Sequence, residues 1–170
     1  MQKTDVQERY LRRWLAGSPR PPLSVVLWSG LGGAICIAVL LLFGSATELA
    51  LVIPPFGASC VLAFGLPDSP LAQPRNIIGG HLVTAFVGIA CLALFGPEHW
   101  VMALAVGLGI MGMQVTGTVH PPAGANPIVV LLAGAGWSFL LTPVLLGAAL
   151  IVAVAYFYNN RIPGRVYPKP

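Results

Sequence analysis

The sequence predicts an all-α, polytopic membrane protein built as one domain, and three observations carry that prediction. Of its 170 residues, 56% are hydrophobic and 8% charged, too little polar surface to cover a water-soluble globule of this size. Apolar runs fill nearly everything from Val25 to Tyr158 and leave no stretch for a soluble domain. Two phrases, Pro54-Pro55-Phe56-Gly57-Ala58-Ser59 and Pro121-Pro122-Ala123-Gly124-Ala125-Asn126, share the pattern PP-x-G-A-[S/N], and each interrupts a long apolar stretch. Proline breaks in corresponding places of two halves are the sequence pointer to a transporter site.

The chain opens with a charged segment, residues 1–22, expected to lie as an amphipathic helix on the cytoplasmic surface. The apolar run after it is too long for the core of a signal peptide, and no cleavage site follows. The formal net charge of +4 resides at the two ends, in Lys3, Arg9, Arg12, Arg13 and Arg20, then Arg161, Arg165 and Lys169. Basic flanks mark the cytoplasmic side. Both termini, including the tail 160–170, are therefore expected in the cytoplasm, in an integral protein of a bacterial inner membrane. Nucleic acid is excluded as a partner, because these cations are not interleaved with aromatics on one folded face.

The transmembrane domain, 23–159, is expected to hold six segments in two inverted three-segment repeats, about 25–95 and 100–158. Val25 to Phe43 is uncharged and long enough to cross at 1.5 Å per residue. Leu49 to Leu66 is broken by its proline doublet, which starts a helix and cannot sit inside one. Asn76 to Phe95 and the glycine-rich Trp100 to Val115 follow, with small residues that allow close helix contact. His120 opens the fifth, broken segment, and Phe139 to Tyr158 forms the sixth. Six crossings place Arg75 inside and Glu48 and Glu98 outside. The alternative is four full spans with two re-entrant half-helices, which puts Arg75 outside and Glu98 inside.

A helix that starts inside the bilayer leaves about four N–H groups without intrahelical partners, and its positive end favours an anion. The expected solute-binding set follows: Pro54, Pro55, Phe56, Gly57 and Ser59 at the first break, and His120, Pro121, Pro122, Ala123, Gly124 and Asn126 at the second. His120 is positioned to donate a hydrogen bond or carry a proton near neutral pH. Gln114, Thr116 and Thr118 form a polar set beside it, and Asn76 and His81 a second notch. Polar groups at this depth need a partner or water. Cys36, Cys60 and Cys91 lie in apolar runs without metal spacing and read as buried thiols. No catalytic constellation, nucleotide site, metal or cofactor motif is present, so an enzyme is not expected.

The phrases P-P-F-G-A-S-C-V-L-A-F-G at 54 to 65, N-x-x-G-G-H at 76 to 81 and V-H-P-P-A-G-A-N-P at 119 to 127 resemble the HPP family of integral membrane proteins, from about Pro19 to Tyr158. That resemblance implies four transmembrane helices, and plastid and cyanobacterial members are associated with nitrite transport. It points to a channel or transporter for a small monovalent anion, nitrite foremost. Two other readings stand beside it: a channel for a small neutral polar solute, and a non-transporting membrane scaffold. A bundle this small encloses a pore with difficulty, so a homo-oligomer, dimer or trimer, is expected through the Gly-rich spans.

Overall fold

The computed structural model describes residues 20–169; the greater part of the expected N-terminal surface helix, residues 1–19, lies outside them. All regular structure among the described residues is helical. Helix α1, Leu23–Thr47, buries only Gly32, Cys36, Leu40 and Gly44. That four-residue spacing makes one narrow stripe, while Leu23, Leu27, Leu31, Leu41 and Leu42 on the other faces are exposed, as a lipid-facing helix requires.

Glu48 ends α1 in the left-handed region at φ 58, and the chain doubles back. Leu49 donates its N–H to the Gly44 carbonyl at 2.9 Å. A Cβ on Gly44 would lie 2.6 Å from the Leu49 carbonyl oxygen, so only glycine permits this return. Ile53 is extended, as a residue before proline must be, and α2, Pro54–Cys60, starts at the doublet. It continues as a π-helical turn, Val61–Gly65, whose Phe64 ring packs where a Gly32 side chain would be. From Leu49 to Gly65 the chain therefore runs antiparallel to α1.

Helices α3, Pro74–Phe95, and α4, His99–Thr116, form the central antiparallel pair. Their close packing uses Gly109 against Thr84 and Gly112 against Val83. After Gly117, at φ 64, His120 is extended and leads into a 3-10 turn, Pro121–Ala125. Helix α5, Asn126–Ala133, follows and presses Pro127 onto Gly88 of α3. A 3-10 turn, Trp137–Leu140, and a π turn broken at Thr142 lead into α6, Leu146–Asn159. Gly147 of α6 admits the Phe56 ring, and the Tyr158 hydroxyl donates to the Trp28 carbonyl at 2.8 Å.

Two apolar clusters result. The larger joins Cys36, Leu40, Phe56, Phe64, Ala85 and Ile151, and the smaller joins Ile89, Val101, Ala105, Val130 and Leu131 at the far end of α3. Among the described residues four helical stretches are long and apolar enough to cross a membrane: Leu23–Thr47, Pro74–Phe95, His99–Thr116 and Trp137–Asn159. The proline-opened helices, Pro54–Gly65 and Pro121–Ala133, are shorter. The prolines set their starts, since no helix can enter a doublet from before it.

The tail that follows α6 is docked against the rest of the chain. Arg165 donates to the Phe64 carbonyl at 3.1 Å and to Asn159 Oδ1 at 3.0 Å, and Asn159 donates to the Ala63 carbonyl. These bonds satisfy the free carbonyls at the end of the second segment, where the helix dipole favours a cation. Tyr167, 1% exposed, donates to the Ala72 carbonyl at 2.9 Å. Lys169 holds Gln73 Oε1 through its N–H and pairs with Asp68 at 3.1 Å.

Candidate functional site: a buried histidine–serine–histidine network

The two proline-opened segments meet at Ser59. Its Oγ lies 2.8 Å from Nε2 of His81 on α3 and 2.8 Å from Nε2 of His120. Ser59, His81, Thr84, His120 and Asn126 are all 0% exposed, so each polar atom must find a protein partner or cost about 1–3 kcal/mol.

The partners fix the protons. The Leu71 carbonyl, 2.8 Å from His120 Nδ1, can only accept, so Nδ1 carries the proton and Nε2 accepts. Ser59 then donates to His120, and its lone pair takes the Nε2–H of His81. The Pro55 carbonyl, 3.2 Å from Oγ, is the weaker alternative acceptor for the one Ser59 proton. His81 Nδ1 is left bare and accepts from Asn126 Nδ2 at 3.0 Å. The same Nδ2 faces the His81 carbonyl and Thr84 Oγ1, both at 3.0 Å, and Thr84 spends its own proton on the Gly80 carbonyl at 2.8 Å. All donors therefore point one way, from Asn126 to Leu71. One atom is left over: Asn126 Oδ1 is buried without a partner.

Phe56 meets the His81 ring edge to face, centroids 5.1 Å apart, and the two imidazoles lie 5.1 Å apart at 62°. Among the described residues no group of three or more His, Cys, Asp or Glu could hold a metal. Cys36, Cys60 and Cys91 are buried and free.

Of the residues singled out from the sequence, the structure brings together Ser59, His81, His120 and Asn126, with Pro55, Phe56, Pro122 and Ala123 buried around them. Asn76, Thr116 and Thr118 stand apart and hold the loop that presents His120. Asn76 Nδ2 donates to the Val119 carbonyl at 2.8 Å, and the two threonine hydroxyls are 2.7 Å apart. Arg75 ties the same loop through the Thr116 carbonyl at 3.0 Å. Gln114 is exposed on α4, away from the network. Pro54, Pro121 and Gly57 are exposed, Gly124 is half-buried, and neither glycine has an atom within 4 Å of a Cβ.

The first-turn backbone donors expected for an anion are largely absent or occupied. Pro54, Pro55, Pro121 and Pro122 have no N–H, while Phe56 and Ala123 donate back to the Ile53 and His120 carbonyls at 2.9 and 3.0 Å. Side chains form the polar centre instead. Thr84 was not anticipated, although a hydroxyl three residues after His81 on an apolar helix shares its face. The Leu71 carbonyl gave no signal, because a backbone acceptor looks the same at every position.

The family model for the HPP transmembrane region matches residues 18–168. The chain belongs to the HPP family. Two transmembrane proteins of Dictyostelium discoideum are similar to it, each 35% identical, over 177 and 175 residues and 94% of this chain. The HPP chain spans 62% and 56% of their lengths. No solved structure matches it. With its apolar helices, this HPP protein is an integral membrane protein, and the His120-Pro121-Pro122 triplet supplies one histidine of the buried network.

Proposed function

We propose that this protein is a channel or transporter for a small monovalent anion, nitrite foremost, and not an enzyme. The supporting observation is the network sealed where two proline-opened helices meet. His81 lies two turns into α3, about 10 Å along its axis. Polar groups at such depth are costly and mark solute or proton pathways. Among the described residues no Lys or Arg is buried in the site, so it binds weakly, which suits passage over capture.

In this reading each short helix crosses with the extended residues before it, giving six crossings in two inverted repeats. Two observations favour it. Leu49 to Gly65 returns along α1 from Gly44 to Gly32, and Pro121 to Leu131 advances along α3 from Gly80 towards Ile89. Both termini and Arg75 then face the cytoplasm, with Glu48 and Glu98 outside. The closed network opens to pass solute when α2 and the Pro121 turn separate at Ser59–His120. A homo-oligomer, dimer or trimer, is the working assembly.

Purified protein in proteoliposomes is to be assayed for flux of nitrite, nitrate, formate, chloride and bicarbonate. Nitrite uptake above protein-free vesicles is expected, and flux of none of these ions overturns the proposal.

A further inference from the structure

The donors of the buried network form a directed chain with an open acceptor at one end and a loop carbonyl at the other. Asn126 Nδ2 donates to His81 Nδ1, His81 Nε2 to Ser59, Ser59 to His120 Nε2, and His120 Nδ1 to Leu71, with 3.0 Å at the first bond and 2.8 Å at the next three. We infer that His81, Ser59 and His120 form a proton relay, and that the solute is carried with a proton, as the neutral equivalent of a weak oxoacid. The inference rests on the transport reading above.

The relay balances. A proton taken up at His81 Nδ1 releases the Nε2 proton to Ser59, whose own proton passes to His120 Nε2. The Nδ1 proton of His120, held by a hydrogen bond to the Leu71 carbonyl, then leaves to a water molecule reaching that end, so one proton enters and one departs, with the Ser59 O–H and ring N–H bonds exchanged and no bond between heavy atoms changed. Both rings end in the opposite tautomer, and the chain resets when Ser59 turns about its Cα–Cβ bond and each ring gives one proton to water and takes one from it as the segments separate, which leaves the net transfer at one proton. Asn126 suits the starting end, because its free Oδ1 can accept from a protonated Nδ1–H, or from an acid's O–H, once the amide swings. A bare anion offers that oxygen nothing.

Among the described residues none is shown placing a charge against the network. From α3 the titratable group facing the network is His81 and from the Pro121 turn it is His120. From α2 Cys60 adjoins Ser59 and from the tail Tyr167 reaches Ala72. Among the described residues Arg75 and Arg165 are turned to the Thr116 and Phe64 carbonyls, and Asp68 pairs with Lys169. With ring centroids 5.1 Å apart, the two imidazoles hold one positive charge at a time, since like charges so close oppose a second. The pair passes single protons.

The test uses the full chain in vesicles with an internal pH dye and a voltage dye, under an inward nitrite gradient, with the protein-free rate subtracted. Electrically silent uptake with internal acidification is expected. Ser59→Ala is expected to slow acidification about tenfold or more, and Ser59→Thr, which keeps the hydroxyl, to restore it. Wild-type uptake with matching current and no acidification overturns the relay while leaving the transport reading intact. Acidification by Ser59→Ala at the wild-type rate also overturns it. Absence of any flux overturns the transport reading and the relay with it. The wild-type arm requires no variant to fold.

Discussion

A Cβ built on Gly80 would lie 2.8 Å from Cβ of His120 and 2.8 Å from the Thr118 carbonyl oxygen. The absence of one side chain on α3 is what lets the His120 loop lie against the helix and bring its ring to Ser59.

Gly80→Ala is therefore expected to push the loop off α3, costing about 1–3 kcal/mol by overpacking and lowering nitrite flux together with thermal stability. Gly107→Ala on α4, where nothing lies within 4 Å, serves as its control and should be neutral or slightly stabilising through helix propensity. Melting of both in detergent checks the contrast; equal effects would contradict the packing argument.

His120→Ala leaves the buried Ser59 hydroxyl with only the longer contact to the Pro55 carbonyl and the half-buried Leu71 carbonyl without its donor. A loss of about 1–3 kcal/mol and of nitrite uptake is expected in protein that still elutes as wild type. Retained uptake in that sample would remove His120 from the solute path.

Arg165 closes the second segment at the Phe64 carbonyl and Asn159 Oδ1. Arg165→Ala is expected to cost about 1.5–3 kcal/mol for a charged hydrogen bond. Faster amide exchange confined to residues 61–66 is the readout, and exchange unchanged there would show the cap to be idle.

Tyr167 anchors the tail with its ring buried, and burial pushes its phenol above the ordinary value of about 10. The sign follows from linkage: above pH 10 or so the unfolded chain loses this proton while the folded chain keeps it, so stability falls as pH rises. Tyr167→Phe should remove that alkaline decline and cost about 0.5–1.5 kcal/mol at neutral pH through the lost bond to Ala72. Unfolding from pH 8 to 11 tests both, and parallel curves for the two proteins would refute the assignment.

Much of the site could be read from residues alone. Ser59 and Asn126 stand at equivalent places in a repeated phrase, and His81 and His120 are rare polar groups in apolar surroundings, so their types and spacing flagged them. Gln114, equally polar, was grouped with them because spacing near Thr116 does not say which face of α4 turns inward. The docked tail was missed for another reason: Arg165, Tyr167 and Lys169 resemble any polar terminus until the carbonyls they bind are placed.

Composition, run length and residue type by themselves determined the membrane, the all-helical class, the helix breaks at Pro54 and Pro121 and four members of the buried polar set, Ser59, His81, His120 and Asn126, because those depend on solvation and on proline's missing donor, both local properties. Only the tertiary structure decided that one serine hydroxyl joins two histidines from distant parts of the chain, that Thr84 completes the set, that the Phe56 and Ala123 N–H groups are spent on the Ile53 and His120 carbonyls, and that the tail clamps the loop beneath His120. Hydrogen-bond direction and partner choice depend on distances of about 3 Å between segments far apart in the chain, and no local pattern encodes those.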